Sequence, residues 1–223
     1  MSGRDGGAML RVRELGKRLG GRRVLDGVDL EVDGGAAVVV RGANGAGKST
    51  LLRIVAGVIE PDAGLVEIAG VSITGDRVAA RRALGYVPEG ADPPEHLTVD
   101  EVIRLAAALK RVDLPGAELR ARLGVDTLGH KRIERLSLGE RRRACLAAAL
   151  VGTPRLLVMD EPSNGLDVAG VAELVALLRE QMSAGAAVLI ASHDGALAEA
   201  IGARVALLEG GKLADHSAEA ARG

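Results

Sequence analysis

One nine-residue stretch, Gly42-Ala43-Asn44-Gly45-Ala46-Gly47-Lys48-Ser49-Thr50, constrains this chain more than any other. It matches the pattern G-x-x-x-x-G-K-[ST]. It stands between an apolar run, Ala36-Ala37-Val38-Val39-Val40, and a segment in which Leu51, Leu52, Val55 and Ile59 recur at helical spacing with Gly57 as a tolerated interruption. A glycine-rich turn from a strand into a helix points successive backbone N–H groups inward, at the helix end that favours an anion. Lys48 is then within reach of the β- and γ-phosphates of a triphosphate, and the Ser49 hydroxyl is a ligand for Mg²⁺. With strand, lysine and helix in sequence, the pattern implies a nucleoside triphosphate.

Composition narrows what surrounds that loop. A length of 223 residues suits a single α/β domain. Phe and Trp are absent and Tyr86 is the sole aromatic, so the core is expected from Val, Leu, Ile and Ala. A net charge of −1 gives no basic excess for nucleic acid, and stacking aromatics are missing. Arg141-Arg142-Arg143 is expected to form a solvated helix face. Cys145 is the only cysteine; no intramolecular disulfide is available, and a packed thiol in a reducing compartment is expected. No apolar run reaches bilayer-spanning length and Met1–Met9 lacks a signal-peptide core, which predicts a soluble or peripheral chain.

Val28, Leu30 and Val32 alternate with Asp29, Glu31 and Asp33, the pattern of a half-buried strand. With Leu10–Leu15 and Leu65–Ala69 it predicts a small antiparallel sheet beside the loop, and Leu84–Val87 a further strand. From Asp92 the texture becomes helical. Thr98-Val99-Asp100-Glu101 has the form of a capping box, followed by an apolar stripe of Val102, Leu105, Ala106 and Leu109. A second short helix is expected over Glu118–Leu123. Leu156-Leu157-Val158-Met159 reads as a strand buried on both faces. A helix over Val171–Met182, a strand over Ala186–Ala191, a short helix and a strand over Arg204–Leu208 follow; the tail from Ala214 is expected to fray. Strands alternating with helices predict a mostly parallel sheet.

The buried strand ends in Asp160-Glu161. Carboxylates there belong where ligands bind in open α/β sheets: Asp160 suits the Mg²⁺ shell, and Glu161 could polarise the water attacking the γ-phosphate. Ser137-x-x-Glu140 is itself a capping box opening a helix, and such a helix end attracts an anion.

Taken in order, the phosphate loop, Leu136-Ser137-Leu138-Gly139-Glu140, the acidic strand, Ser163-Asn164-Gly165-Leu166-Asp167 and Ala191-Ser192-His193-Asp194 resemble the nucleotide-binding subunit of an ATP-binding cassette (ABC) transporter. The similarity runs from about Leu10 to Lys212. It implies a P-loop NTPase core, about 10–88 and 137–212, with an N-terminal antiparallel β subdomain and an inserted helical subdomain, about 89–136, all within one domain, 1–223. It implies ATP and Mg²⁺ as ligands, with Ser49, Glu89 and Asp160 at the metal and Gly42 to Thr50 around the phosphates. Glu161 and His193 would be catalytic, while Ser137, Gly139 and Glu140 would meet the γ-phosphate held by a second nucleotide-binding subunit, a copy or a similar chain, with Asp167 in a cross-dimer contact. Transmembrane permease subunits are the implied partners, no nucleic acid is, and the implied location is peripheral, at the cytoplasmic face of the cell membrane. His96, His130 and His216 receive no role.

Four positions depart from the family's commonest residues. Glu89 stands for Gln, Leu138 for Gly, Glu140 for Gln, and Leu19 for the aromatic that stacks on adenine, which implies little base discrimination. Glu after Tyr86-Val87-Pro88 and the Leu-bearing signature resemble exporter ATPases of the ABC-2 type, including antibiotic-resistance members. A small-molecule P-loop kinase would lack the ordered set. A single-cassette ABC protein acting with soluble partners, as an assembly or regulatory module, is the alternative.

Overall fold

The computed structural model describes residues 8–90 and 93–215. Asp92, the N-terminal Met1–Gly7 stretch and His216 lie outside the described residues. The chain runs β1 (Leu10–Leu19), β2 (Arg22–Val32), β3 (Ala37–Arg41), α1 (Lys48–Val55), β4 (Ala63–Ile68), β5 (Val71–Ser72), α2 (Arg77–Arg82) and β6 (Leu84–Val87). It continues through α3 (Val99–Lys110), α4 (Ala117–Arg122), a 3₁₀ turn (Ile133–Arg135), α5 (Leu138–Ala149), β7 (Leu156–Asp160), α6 (Val168–Ser183), β8 (Ala187–Ala191), α7 (Gly195–Ala200), β9 (Arg204–Glu209) and β10 (Lys212–Asp215).

Two sheets form, and the fold is of the expected α/β class. An antiparallel sheet has the order β2-β1-β4-β5; a six-stranded sheet has the order β10-β9-β3-β8-β7-β6 and is parallel except at the β9–β10 hairpin. Alternation along the strands divides the core in two. Val38 and Val40 of β3, Leu156 and Val158 of β7 and Leu189 of β8 face the antiparallel sheet and α1. Ala37, Val39, Leu157, Met159, Val188 and Ile190 face the opposite way, onto α3, α5, α6 and α7. Two covered faces explain why β3, β7 and β8 are continuously apolar. Each fully buried Val or Leu stabilises this arrangement by about 1.5–3 kcal/mol.

Register positions the site. Val40 and Asp160 both pair with Ala191, so the carboxyl ends of β3, β7 and β8 are level. The segments that follow them, from Gly42, Glu161 and Ser192, therefore emerge along one edge of the sheet, where open α/β sheets bind ligands.

Several local expectations are corrected. Gly57 does not interrupt a helix but ends it: α1 stops at Val55, Gly57 has φ 65°, and the N–H groups of Gly57 and Val58 close on Ile54 and Arg53 carbonyls at 2.8 Å each. The α3 stripe is corrected in part. Val102 is buried and Ala106 packs against the core as expected, but Leu105 and Leu109 are exposed; Val99, Val102, Ile103 and Ala107 are the buried i, i+3, i+4, i+8 positions of a single face. The capping box at Thr98 and Glu101 forms as expected. The α6 helix begins at Val168, because the Asp167 carboxylate accepts from the Gly170 N–H at 2.8 Å. Of the tail expected to fray, Ala214 and Asp215 pair with Leu207 and Ala206 in β10, and the remainder, 216–223, lies outside the described residues.

Candidate functional site

Between β3 and α1 the chain wraps a loop that only glycine satisfies at two points. Gly47, at φ 111°, caps α1, and a Cβ there would lie 2.9 Å from Val24 Cγ1 and 3.0 Å from the Val24 carbonyl. At Gly42 a Cβ would collide with the Leu208 carbonyl. No side chain caps α1, so its first-turn N–H groups are left for a ligand. Lys48 is buried to 8% exposure, and its ammonium donates to the carbonyls of Gly42 at 2.8 Å and Ala43 at 3.2 Å.

The same ammonium lies 3.2 Å from His193 Nε2, which is also 3.2 Å from Asn44 Oδ1. An ammonium only donates and a carbonyl oxygen only accepts, so a neutral Nε2 serves one neighbour at a time, and its tautomer selects which. Arg41 donates to the His193 carbonyl at 3.0 Å and fixes the segment behind it.

Glu161 has φ 45°, a left-handed backbone costing a non-glycine residue about 1–2 kcal/mol. Its surroundings hold it there. The Glu161 N–H donates to Ala191 O at 2.8 Å, Oε2 accepts from Ser192 Oγ at 2.9 Å, and Oε1 accepts from the His193 N–H at 3.2 Å. His193 Nε2 stands 3.8 Å from Oε1. Ser192 is fully buried, and its hydroxyl also accepts from the Asp194 N–H at 3.1 Å.

Asp160 is 2% exposed, and its Oδ2 is buried without a hydrogen-bond partner among the described residues. Burial pushes its carboxyl above the usual range; a hydrogen bond from Ser49 opposes this, and the charges of Glu89 and Glu161 add to it. An orphaned carboxylate oxygen beside a hydroxyl is the hard-oxygen donor set that fits Mg²⁺. The described residues include no group of three or more His, Cys, Asp or Glu side chains able to hold a metal on their own, so phosphate oxygens would complete such a shell.

These groups meet around a cavity of about 630 Å³. Asn44, Gly45, Gly47, Lys48, Ser49 and Thr50 line it together with Glu89, Asp160, Glu161 and His193, and Leu19, Val24 and Asn164 complete it. Gly42 and Ala43 lie behind the lining as the carbonyl seats of Lys48, while Ala46 closes a turn with Ala43 through a 3.1 Å hydrogen bond.

Ser137, Gly139 and Glu140 do not line that cavity. Ser137 caps α5: its hydroxyl accepts from the Glu140 N–H at 3.2 Å, and its N–H donates to Glu140 Oε2 at 2.8 Å. Lys131 bonds the other Glu140 oxygen at 3.4 Å. The Ser137 N–H bond, the largest influence, holds the Glu140 carboxyl below its usual range. Leu138 is 58% exposed and leans on the loop before α6; a Cβ at Gly165 would lie 2.6 Å from Leu138 Cγ, and one at Gly139 would lie 2.6 Å from the Gly165 carbonyl.

Two residues beside the site had no expected role, and one overturns a reading. Ser192 follows an all-apolar strand, and that abrupt polarity was its available signal. Arg142 is 1% exposed, so Arg141-Arg142-Arg143 is not a solvated face. Arg142 shares an α5 stripe with Cys145, Leu146 and Ala149, at i+3, i+4 and i+7, all buried; that spacing was the signal missed. Cys145 is buried and not in a disulfide, as expected.

A family model described as ABC transporter matches residues 25–164. The chain is 33% identical over 202 residues, 88% of its length, to the daunorubicin resistance ATP-binding protein DrrA3 of Streptomyces coeruleorubidus. It is 41% identical over 179 residues, 78% of its length, to the zinc import ATP-binding protein ZnuC of Paramagnetospirillum magneticum. It spans 64% of the length of each of these relatives. A solved ATP-binding subunit of an ABC transporter superposes with a TM-score of 0.86 at 29% identity, covering 94% of this chain and 91% of the other. Among the described residues no helix is long and apolar enough to cross a membrane.

Proposed function

The chain belongs to the ABC transporter family as one of its ATPase cassettes, and from that premise we propose that it is the ATP-hydrolysing subunit of a transporter, acting with separate transmembrane permease subunits from the cytoplasmic face of the membrane. The observation that carries this reading is the single cavity joining the phosphate loop, Asp160, Glu161 and His193.

In this reading the triphosphate binds over Asn44–Thr50, and Lys48 exchanges the carbonyls of Gly42 and Ala43 for phosphate oxygens. The uncapped N–H groups of α1 receive the rest of the charge. Ser49 and Asp160, with Glu89 from the same cavity lining, would hold Mg²⁺, which when bound neutralises charge on the phosphates. Glu161, held by Ser192 and the His193 N–H, orients a water molecule and accepts its proton. The water oxygen bonds to the γ-phosphorus as the bond to the ADP oxygen breaks. His193 senses the γ-phosphate, since a ligand that draws Lys48 forward also frees Nε2.

The Ser137–Gly139 corner lies outside this cavity, which supports its use on the nucleotide of a second copy or a similar chain. Two cassettes facing head to tail would then enclose two ATP molecules, and hydrolysis would reopen them. Export is the favoured direction. It rests on the Leu138 signature and Glu89, which resemble ABC-2 type exporters; the relative named for zinc import marks the alternative.

Glu161→Gln tests the chemistry. Hydrolysis should fall about 100-fold or more with ATP affinity retained, and the chain should elute as an ATP-dependent dimer. Near-normal turnover in that variant removes Glu161 as the base. Co-purification with a membrane permease tests the partner, and capture of soluble proteins alone would favour the assembly-module alternative.

A further inference from the structure

Arg142 is the most deeply buried charged side chain among the described residues, and nothing in the reading above uses it. Its guanidinium reaches from α5 into two loops. Nη1 donates to the Pro88 carbonyl at 2.9 Å, Nη2 to the Glu89 carbonyl at 2.8 Å, and Nε to the Asn164 carbonyl at 3.4 Å. The forked, planar group is what lets one side chain seize adjacent carbonyls on one loop and still touch another. Every partner among these three is a neutral carbonyl, so the buried charge is not cancelled by a bonded carboxylate. Burial pushes the Arg142 pKa down; the charge of Cys145 and then those of Asp160, Glu89 and Glu161, the carboxylates lining the cavity, oppose it.

We propose that Arg142 is a positioning residue that ties the Ser137 helix to the Glu89 and Asn164 loops and supplies the cation offsetting the carboxylate at Glu89. It rests on the reading of Glu89, Asp160 and Glu161 as the metal and water end of the site. The logic is chemical. Glu89 puts a third carboxylate on a wall that already holds Asp160 and Glu161, against a triphosphate. A permanently charged group behind that wall lowers the repulsion without taking a ligand position. The tether is mechanical: α5 carries Ser137 and Gly139 at its start, so its rotation moves the Glu89 loop with the corner.

A double-mutant cycle on the whole chain tests this, using Arg142→Gln, Glu89→Gln and their combination. The first readout, urea unfolding without nucleotide, does not depend on the ATPase reading. Arg142→Gln should shift the unfolding equilibrium at least about threefold further in the wild-type background than in the Glu89→Gln background. The second is Mg²⁺-ATP hydrolysis. Arg142→Gln should lower kcat about tenfold, leave KM for ATP within about twofold, and recover at least about threefold when Glu89→Gln is added. Equal losses in both backgrounds, in both readouts, would make Arg142 a core filler and overturn the proposal. A wild-type chain with no hydrolysis sinks the functional reading instead, while the unfolding cycle still decides Arg142. If Arg142→Gln does not fold, Arg142→Lys carries the test: it keeps the cation, loses the fork, and should lose about threefold in kcat. Wild-type turnover in Arg142→Lys overturns the tether.

Discussion

Two helix N-termini in this molecule are built from opposite materials. At α1 the cap is Gly47, with no side chain to spend on the exposed N–H groups. At α5 the cap is Ser137, whose hydroxyl and N–H are both engaged with Glu140. The first leaves its donors unengaged by any side chain, and the buried Lys48 rests on two backbone carbonyls. The second satisfies itself. The lesson is that similar dipole ends serve different purposes: the α1 end is organised to grip, whereas the α5 end is a stable corner that can add a contact without needing one.

Three changes break or sharpen that contrast. The largest effect is expected from Lys48→Met. Binding of a fluorescent ATP analogue should weaken about 100-fold, from lost charge-assisted bonds to phosphate. Retained affinity would mean the α1 end does not grip through this residue. Ser137→Ala comes next. Losing the cap should cost about 1 kcal/mol, which lowers the melting temperature by about 2–4 °C. If the corner also meets a second chain's nucleotide, ATP-dependent dimerisation in Glu161→Gln/Ser137→Ala should weaken; a melting shift with dimerisation unchanged would reduce Ser137 to a cap.

The smallest effect concerns the other end of α5. Lys110 donates to the carbonyls of Ala149 at 3.2 Å and Val151 at 2.9 Å, and burial lowers its pKa from 10.5 to about 8. Between those values the unfolded chain holds the proton more than the folded one, so stability should rise as pH increases through that window and fall as pH returns toward 8. The melting temperature of wild type relative to Lys110→Met, measured from pH 8 to pH 10, checks the sign. A flat difference would show that the two carbonyls offset the burial of the charge.

Much of the site was legible because it consists of local patterns whose chemistry is carried by neighbours in sequence. The glycine loop, the acidic end of β7 and the capping boxes at Thr98 and Ser137 each need only a few adjacent residues. The misreadings were of another kind. Leu105 and Leu109 are as apolar as the residues that α3 buries, and only the packing partner chose which face turned inward. Gly57 looked like a tolerated break because helical spacing continued beyond it to Ile59. Arg142 was grouped with two neighbours of the same charge, although its own face of α5 is otherwise buried and apolar.

By itself the sequence determined that a glycine-rich loop must join a strand to a helix, that carboxylates stand at a strand end, and that α5 begins at a self-closed serine cap, because each follows from bonds within a few residues. Tertiary structure alone decided that Val40 and Asp160 share Ala191 as a register partner, which brings the three segments to one cavity. It also decided that Ser192 holds Glu161, and that the buried Arg142 joins α5 to two loops. Those outcomes depend on residues dozens of positions apart, whose meeting is set by sheet order and packing rather than by any local preference.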